Sequence, residues 1–359
     1  MTTRRLILSA GASAAALSMT RPAWAQSPLK VGFVYLSPRH DKGWTENHER
    51  ARLAVEQRFG NRISTTFVEN VAEGPDSERV IRQLAQSGHG LIFATSFGYM
   101  NPALKVAEQF PNVKFEHVSG YKRAKNLSTY AARYYEGRHI LGLMAGHMSK
   151  RGVVGYIASF PTPGVIRGIN AAFLAARKVN PKVQFKVVYV NSWFDPGKEA
   201  DAAKALVQQG ADVLMQHTDS PSPMKVAEEN KIFAFGQATD MRNFGPNAQL
   251  TALIFNWGPY YTRRIQAVLD GTWESTDTWE GIATGMVQFA PYSERLTAKA
   301  KEDVAAAIAA MTNGSMHPFT GPLNRQDGSV WMAAGQRATD DDLKKVNFYV
   351  AGIEGALPK

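Results

Sequence analysis

Gly152-Val153-Val154-Gly155-Tyr156-Ile157-Ala158 is the stretch whose reading decides the fold. It is a short run of apolar and β-branched residues without a charge, and an amphipathic helix is predicted after it over 165–179. Such a pair is the signature of a buried parallel strand and its crossover. The same pattern runs upstream, where Leu29-Lys30-Val31-Gly32-Phe33-Val34-Tyr35-Leu36 reads as a strand and 45–59 as a helix. Strands over 63–71, 90–95, 113–118 and 127–131 then alternate with helices over 76–86, 100–110 and 136–149. After Gly152 the alternation restarts, with strands over 183–190, 211–216, 232–235 and 249–255 and helices over 196–209 and 223–230. Past Gly281, a strand over 285–290 and a helix over 294–311 are expected. Strands alternating with helices imply parallel sheets covered on both faces. The fold class expected is therefore α/β, with two doubly wound parallel-sheet lobes joined by a hinge.

The break at 149–152 sets the expected division. Lobe I is 26–149 plus 257–279, lobe II is 150–256 plus 280–345, and 346–359 forms a C-terminal segment near the hinge. The chain is expected to cross between lobes at 149–152, at 256–259 and at 278–281. Residues 1–25 stand apart. Arg4-Arg5 precedes an apolar stretch too short to span a bilayer, and Ala23-Trp24-Ala25 offers small residues for cleavage, with Gln26 as the first mature residue. This is the pattern of a secretory signal peptide. The paired arginines point to the twin-arginine route, with an ordinary signal that happens to carry two arginines as the alternative. The expected location is the periplasm. The chain has no cysteine, so a lipid anchor on a mature N-terminal Cys is excluded and no disulfide supports the fold.

The formal charge is +10, and Arg4, Arg5 and Arg21 leave with the signal. The remaining basic residues stand in ones and twos, as in Lys122-Arg123 and Arg263-Arg264, without the concentrated stripe that nucleic acid would require. No nucleic acid partner and a monomeric state are expected. In open parallel sheets ligands bind off the carboxyl ends of the strands. The loops that follow the strands are therefore the informative ones: 37–44, 96–99, 119–121, 159–163, 191–195, 217–222 and 237–241. Three of them are strongly aromatic, at Gly43-Trp44, Phe97-Gly98-Tyr99 and Ser192-Trp193-Phe194-Asp195. A single Trp in such a loop more often packs beneath it than faces a ligand. Two of them, Trp44 and Trp193, on matched loops of facing lobes can instead close on a flat ligand. Asp41, Thr45, Ser96, His217, Thr218, Asp219 and Asp240 supply polar groups to read its edge, with Phe97, Tyr99 and Phe194 as further apolar wall. Apolar walls with a few placed polar groups are how small-molecule sites are built.

Several stretches together resemble the basic membrane protein (BMP) family of periplasmic solute-binding proteins, which serve ABC importers. They are Asp41-Lys42-Gly43-Trp44-Thr45, Glu136-Gly137 leading to Gly142-Leu143-Met144-Ala145-Gly146, and Asn191 through Glu199. Gln209-Gly210-Ala211-Asp212-Val213 and Gly352-Ile353-Glu354-Gly355 fit as well, so the resemblance covers nearly the whole mature chain. It implies the periplasmic binding protein type I fold, an inner-membrane permease as partner and a purine as ligand. It also implies that Trp44 and Trp193 flank the purine and that Asp240 is a polar contact. Two positions depart from the family. Ala238 stands where an Asp is common, and Phe255 where a Lys often precedes an Asn. Both changes remove groups that a ribose would use, and buried hydroxyls without partners are costly. The expected ligand is therefore a free purine base, adenine first, with a nucleoside second.

The rival class is an enzyme acting on the same ligand. The sequence has no H-E-x-x-H, no G-x-S-x-G, no P-loop and no G-x-G-x-x-G after the first strand. Asp340-Asp341-Asp342 reads as helix N-terminal charge, and the eight histidines are scattered. No catalytic residue, metal or cofactor is expected. A receptor that presents its ligand to a membrane sensor is the other alternative. Trp257, Trp273 and Trp279 are assigned to lobe packing or the hinge, and 318–322 with Asp327-Gly328 to a C-terminal hairpin.

Overall fold

The computed structural model describes residues 27–358, so the signal-peptide reading of 1–25 lies outside the described residues. The first half runs β1 (Leu29–Val34), α1 (Trp44–Phe59), β2 (Ile63–Val68), α2 (Pro75–Gln86) and β3 (Leu91–Ala94). It continues with α3 (Met100–Gln109), β4 (Lys114–Val118), β5 (Leu127–Ala132) and α4 (Tyr134–Met148). The second half runs β6 (Val153–Ala158), α5 (Pro163–Val179), β7 (Gln184–Tyr189), α6 (Pro196–Gln208) and β8 (Val213–His217). Then come α7 (Ser222–Glu229), β9 (Phe233–Ala238), β10 (Gln249–Phe255), α8 (Trp257–Leu269), β11 (Asp277–Glu280) and β12 (Val287–Phe289). The chain closes with α9 (Ala298–Thr312), a small hairpin of β13 (Leu323–Asn324) and β14 (Val330–Met332), and α10 (Asp340–Lys344).

Two six-stranded sheets result, in the orders β11-β5-β4-β3-β1-β2 and β12-β10-β9-β8-β6-β7. The first is parallel throughout. The second is parallel except at its edge, where β12 runs antiparallel to β10. The central strands are apolar because helices cover both faces. Val31, Phe33, Ile92 and Phe93 in one sheet, and Val154, Tyr156, Leu214 and Met215 in the other, are all buried. Among the described residues, no helix is long and apolar enough to cross a membrane.

The structure moves one expected boundary. Helix α4 packs along α5 and α9 and against β10 and β12, which places it with the second sheet. The chain thus changes lobes at Arg133, ahead of α4, and not at 149–152. The cause is glycine: a side chain at Gly142 would collide with the carbonyl of Ala172 on α5, so the two helices touch backbone to backbone. Helix α8 and strand β11 are further elements beyond those the sequence pattern predicts. Helix α8 packs on α1, and β11 extends the first sheet beside β5. Pro259 sits in the first turn of α8, where its missing N–H has no cost.

A buried ionic cluster holds α8 to the first sheet. Glu116, at the centre of β4, is wholly buried and accepts hydrogen bonds from Tyr260 Oη (2.6 Å), Arg264 Nε (2.6 Å) and Trp273 Nε1 (2.7 Å). Removing one partner of such a pair leaves a buried charge uncompensated, at a cost of about 3–5 kcal/mol. Glu116→Ala is therefore expected to lower the unfolding free energy by about that amount in urea denaturation, and a loss below about 1 kcal/mol would show that the cluster does not carry α8.

Candidate functional site

The site begins with a helix end. Gly43 occupies the N-cap of α1 and has no side chain to offer the free N–H groups there. Asp41 supplies the carboxylate instead. Its Oδ1 accepts from Gly43 N (2.9 Å) and Glu46 N (3.0 Å), and its Oδ2 from Thr45 N (3.0 Å) and Ser37 Oγ (2.6 Å). Thr45 adds a 2.6 Å hydroxyl contact to Ser37. Asp41 and Thr45 were expected to read a ligand. Both are buried and lie off the cavity wall, and their hydrogen-bonding capacity is spent on the start of α1.

What this cap positions is Trp44. Its indole Nε1 donates to the carbonyl of Thr95 (2.7 Å), while His48, Phe255 and Trp257 pack around the ring at 4.6, 5.9 and 5.7 Å between centroids. The same turn carries contacts between the lobes. A side chain at Gly43 would collide with the backbone of Asp219, and Thr239 Oγ1 donates to the carbonyl of Lys42. Asp219 N in turn donates to the carbonyl of Trp193 (3.0 Å). Glu199 knits the same two loops together, accepting from Asp195 N (2.9 Å) and Ser220 N (3.0 Å), and burial pushes its carboxyl up to about 7.

Between these loops lies a cavity of about 510 Å³. Its wall includes Trp44, Trp193, Ser96, Phe97, His217 and Asp219, six of the twelve residues named from the sequence. Trp193 is half-buried against Phe160, with ring centroids 5.2 Å apart, and its Nε1 has no partner among the described residues. The Ser96 hydroxyl is already committed to Glu73 (2.6 Å). Burial drives the His217 imidazole well below its usual pKa, and the Arg138 and Arg167 charges act in the same direction, so the ring is neutral. Burial also raises the Asp219 carboxyl well above the usual carboxylate range, helped by Asp41 and Glu199 and opposed by the Trp44 backbone N–H and Arg138. Ligand N–H groups at Asp219 would favour the ionised form.

The other named residues lie elsewhere. Tyr99 is wholly buried, with its hydroxyl on the carbonyl of Val71 (2.6 Å). Phe194 is half-buried beside the cavity wall and not part of it. Thr218 is buried behind the wall, with its hydroxyl unpartnered among the described residues. Asp240 is exposed and accepts from Gln249 Nε2 (2.6 Å) and Arg242 N (3.0 Å), so it stabilises its own loop. The two departures, Ala238 and Phe255, are both buried core, with Phe255 4.9 Å from Tyr134.

Residues not singled out from the sequence complete the wall. Tyr134 comes from the start of α4 and Arg167 from α5, where burial pushes the guanidinium down to about 10. Arg167 is anchored by Nη1 to the carbonyl of Leu343 (2.6 Å) and lies 4.9 Å over the ring of Trp279, which also lines the cavity. Gln237 closes the second-lobe side. Toward the hinge the cavity reaches Ser119, Asp277 and Lys344, the last two paired at 2.8 Å. Among the described residues, no group of His, Asp and Glu is arranged to hold a metal ion.

Residues 29–313 match the model of the Bmp family, described as ABC transporter substrate-binding protein PnrA-like. The chain belongs to the Bmp family. A purine-binding protein of Brucella abortus is 51% identical over 97% of this chain and 99% of its own. A putative ABC transporter glucose-binding protein of Haloferax volcanii is 34% identical over 92% of this chain and 81% of its own. Among solved structures, a solute-binding protein of an ABC transporter system from Aeropyrum pernix superposes with a TM-score of 0.70 at 15% identity, covering 89% of this chain and 98% of the other. The fold is thus that of periplasmic binding proteins. This Bmp protein is the substrate-binding component of an ABC transporter, with a small-molecule ligand and a transporter permease as partner. The family and these relatives are described as binding proteins.

Because the Lys42–Trp44 turn meets the second lobe through bare backbone, Gly43→Ala is expected to prevent the lobes from meeting. Its ligand-free melting temperature should match the wild type, while ligand affinity falls at least tenfold and X-ray scattering shows no contraction on ligand addition. Wild-type contraction in the variant would contradict this placement of the lobe contact.

Proposed function

We propose that the protein captures a purine in the periplasm and hands it to an inner-membrane permease, and that a free base, adenine first, is preferred to a nucleoside. The observation that carries this reading is the cavity wall, on which Trp44 from the first lobe and Trp193 from the second stand at one site whose exposed surface is mostly apolar. Base–aromatic stacking contributes about 1–3 kcal/mol per base. A planar heterocycle uses such walls more fully than a hexose, which needs a hydrogen-bonding partner for each hydroxyl. The relative with the purine name is also more similar than the one with the glucose name, at 51% against 34% identity. The sequence pattern of an export signal in residues 1–25, with Arg4-Arg5 ahead of its apolar stretch, supports the periplasmic setting.

Preference for the base rests on Ala238 and Phe255. Both are apolar and packed away from the cavity, where a ribose would gain nothing from them. One observation favours a nucleoside as the second reading: the cavity continues to Ser119, Asp277 and Lys344, which offer hydroxyl-binding groups beyond the aromatic pair.

Isothermal titration with adenine, guanine, hypoxanthine, adenosine and glucose separates these readings. Adenine is expected to bind most tightly, and Trp44→Ala to weaken it by about five- to 150-fold, as loss of about 1–3 kcal/mol of stacking requires. Adenosine binding at least as tightly as every base would overturn the base preference. Glucose binding with no response to any purine would overturn the purine reading.

A further inference from the structure

Arg138, on α4, is 1% exposed and gives Nη2 to Oε1 of Gln237 on β9. Its guanidinium lies 5.7 Å from the ring centroid of Tyr156, and Nε and Nη1 have no partner among the described residues. A buried charge with so few partners is expensive and calls for a role. The chemistry of the pair supplies one. Guanidinium has donors and no acceptor, so the Gln237 amide can face it only through Oε1. The two ends of that amide, ordinarily interchangeable, are therefore assigned. Gln237 is 1% exposed by whole-residue area yet borders the cavity, and its Nε2 donates to no group among the described residues. The same cavity wall carries the Asp219 carboxyl, which accepts from a ligand N–H that holds it ionised.

We propose that Arg138 is a positioning residue that locks Gln237 with its amide N–H₂ toward the cavity, so that the site selects purines presenting an acceptor ring nitrogen to Gln237 and an N–H to Asp219. This rests on the purine reading of the cavity. Amide side chains recognise adenine through the same pairing of ring-nitrogen acceptor and exocyclic amine donor in other settings. Here the two halves of the pattern come from two residues, and the buried guanidinium prevents the donor half from turning over. A polar site of this kind rejects a ligand lacking the matching group, because a buried donor is then left unpaired.

The test uses the mature chain with adenine and its 1-, 3- and 7-deaza analogues, each of which replaces one ring acceptor with C–H. The wild type is expected to lose at least tenfold in affinity for one of the three. Gln237→Glu still accepts from Arg138 but can no longer donate, so it should bind adenine at least tenfold more weakly and be indifferent to that same deletion. In Arg138→Met the amide is free to turn, and the ratio of analogue to adenine dissociation constants should fall at least fivefold. Arg138→Lys, whose ammonium still donates to Oε1, should restore most of that ratio, which a merely structural role would leave unchanged. Adenine binding to Gln237→Glu within twofold of wild type would overturn the proposal while leaving the purine reading intact, as would an unchanged ratio in Arg138→Met. Absence of binding by any purine to the wild type would overturn both.

Discussion

The carboxylate of Asp41 at the start of α1 is the constraint on which the site depends. By taking the N–H groups of Gly43, Thr45 and Glu46 it fixes the turn that enters the helix. That turn does three things at once. It stands Trp44 on the cavity wall, it brings the bare backbone of Gly43 against Asp219, and it offers the Lys42 carbonyl to Thr239. Ligand wall and lobe contact are thus one piece of backbone. A ligand that rests on Trp44 therefore bears directly on whether the two lobes stay together, the coupling that hinge closure around a ligand requires.

The second lobe answers with two loops tied to each other by hydrogen bonds. Glu199 ties the Trp193 loop to the Asp219 loop, and Asp219 N ties back to Trp193 O. Helix α4 passes from the lobe junction into this half, carrying Tyr134 to the cavity wall and Arg138 behind Gln237. The close α4–α5 approach at Gly142 holds these side chains and Arg167 in one frame. Polar groups that a solvent-exposed loop would leave mobile are here oriented by buried partners, and pre-organisation of this kind lowers the entropy cost of binding.

The sequence made the strands and most helices legible because their periodicity is strong, as in Val153–Ala158 and Pro163–Val179. The loops at the carboxyl ends of strands pointed to Trp44, Trp193, Ser96, Phe97, His217 and Asp219. The failures have identifiable causes. The stretch 256–259 is expected as a lobe crossing, yet Pro259 is accommodated in a first turn and α8 begins there. Periodicity shows that α4 is a helix but not which sheet it covers, so the lobe boundary fell too late. Asp41, Thr45 and Asp240 sit in the right loops, but whether a carboxylate faces a ligand or its own backbone is decided by local geometry that spacing does not carry. Tyr134, Arg167 and Trp279 reach the cavity from helices and an edge strand, where no loop signal marks them.

A crystal structure of residues 26–359 with adenine tests the central claim most directly. The account predicts a purine ring between the indoles of Trp44 and Trp193, with Asp219 and Gln237 within hydrogen-bonding distance of its edge. Electron density for the base outside that aromatic pair, or a cavity occupied instead by a hexose carried through purification, would contradict it.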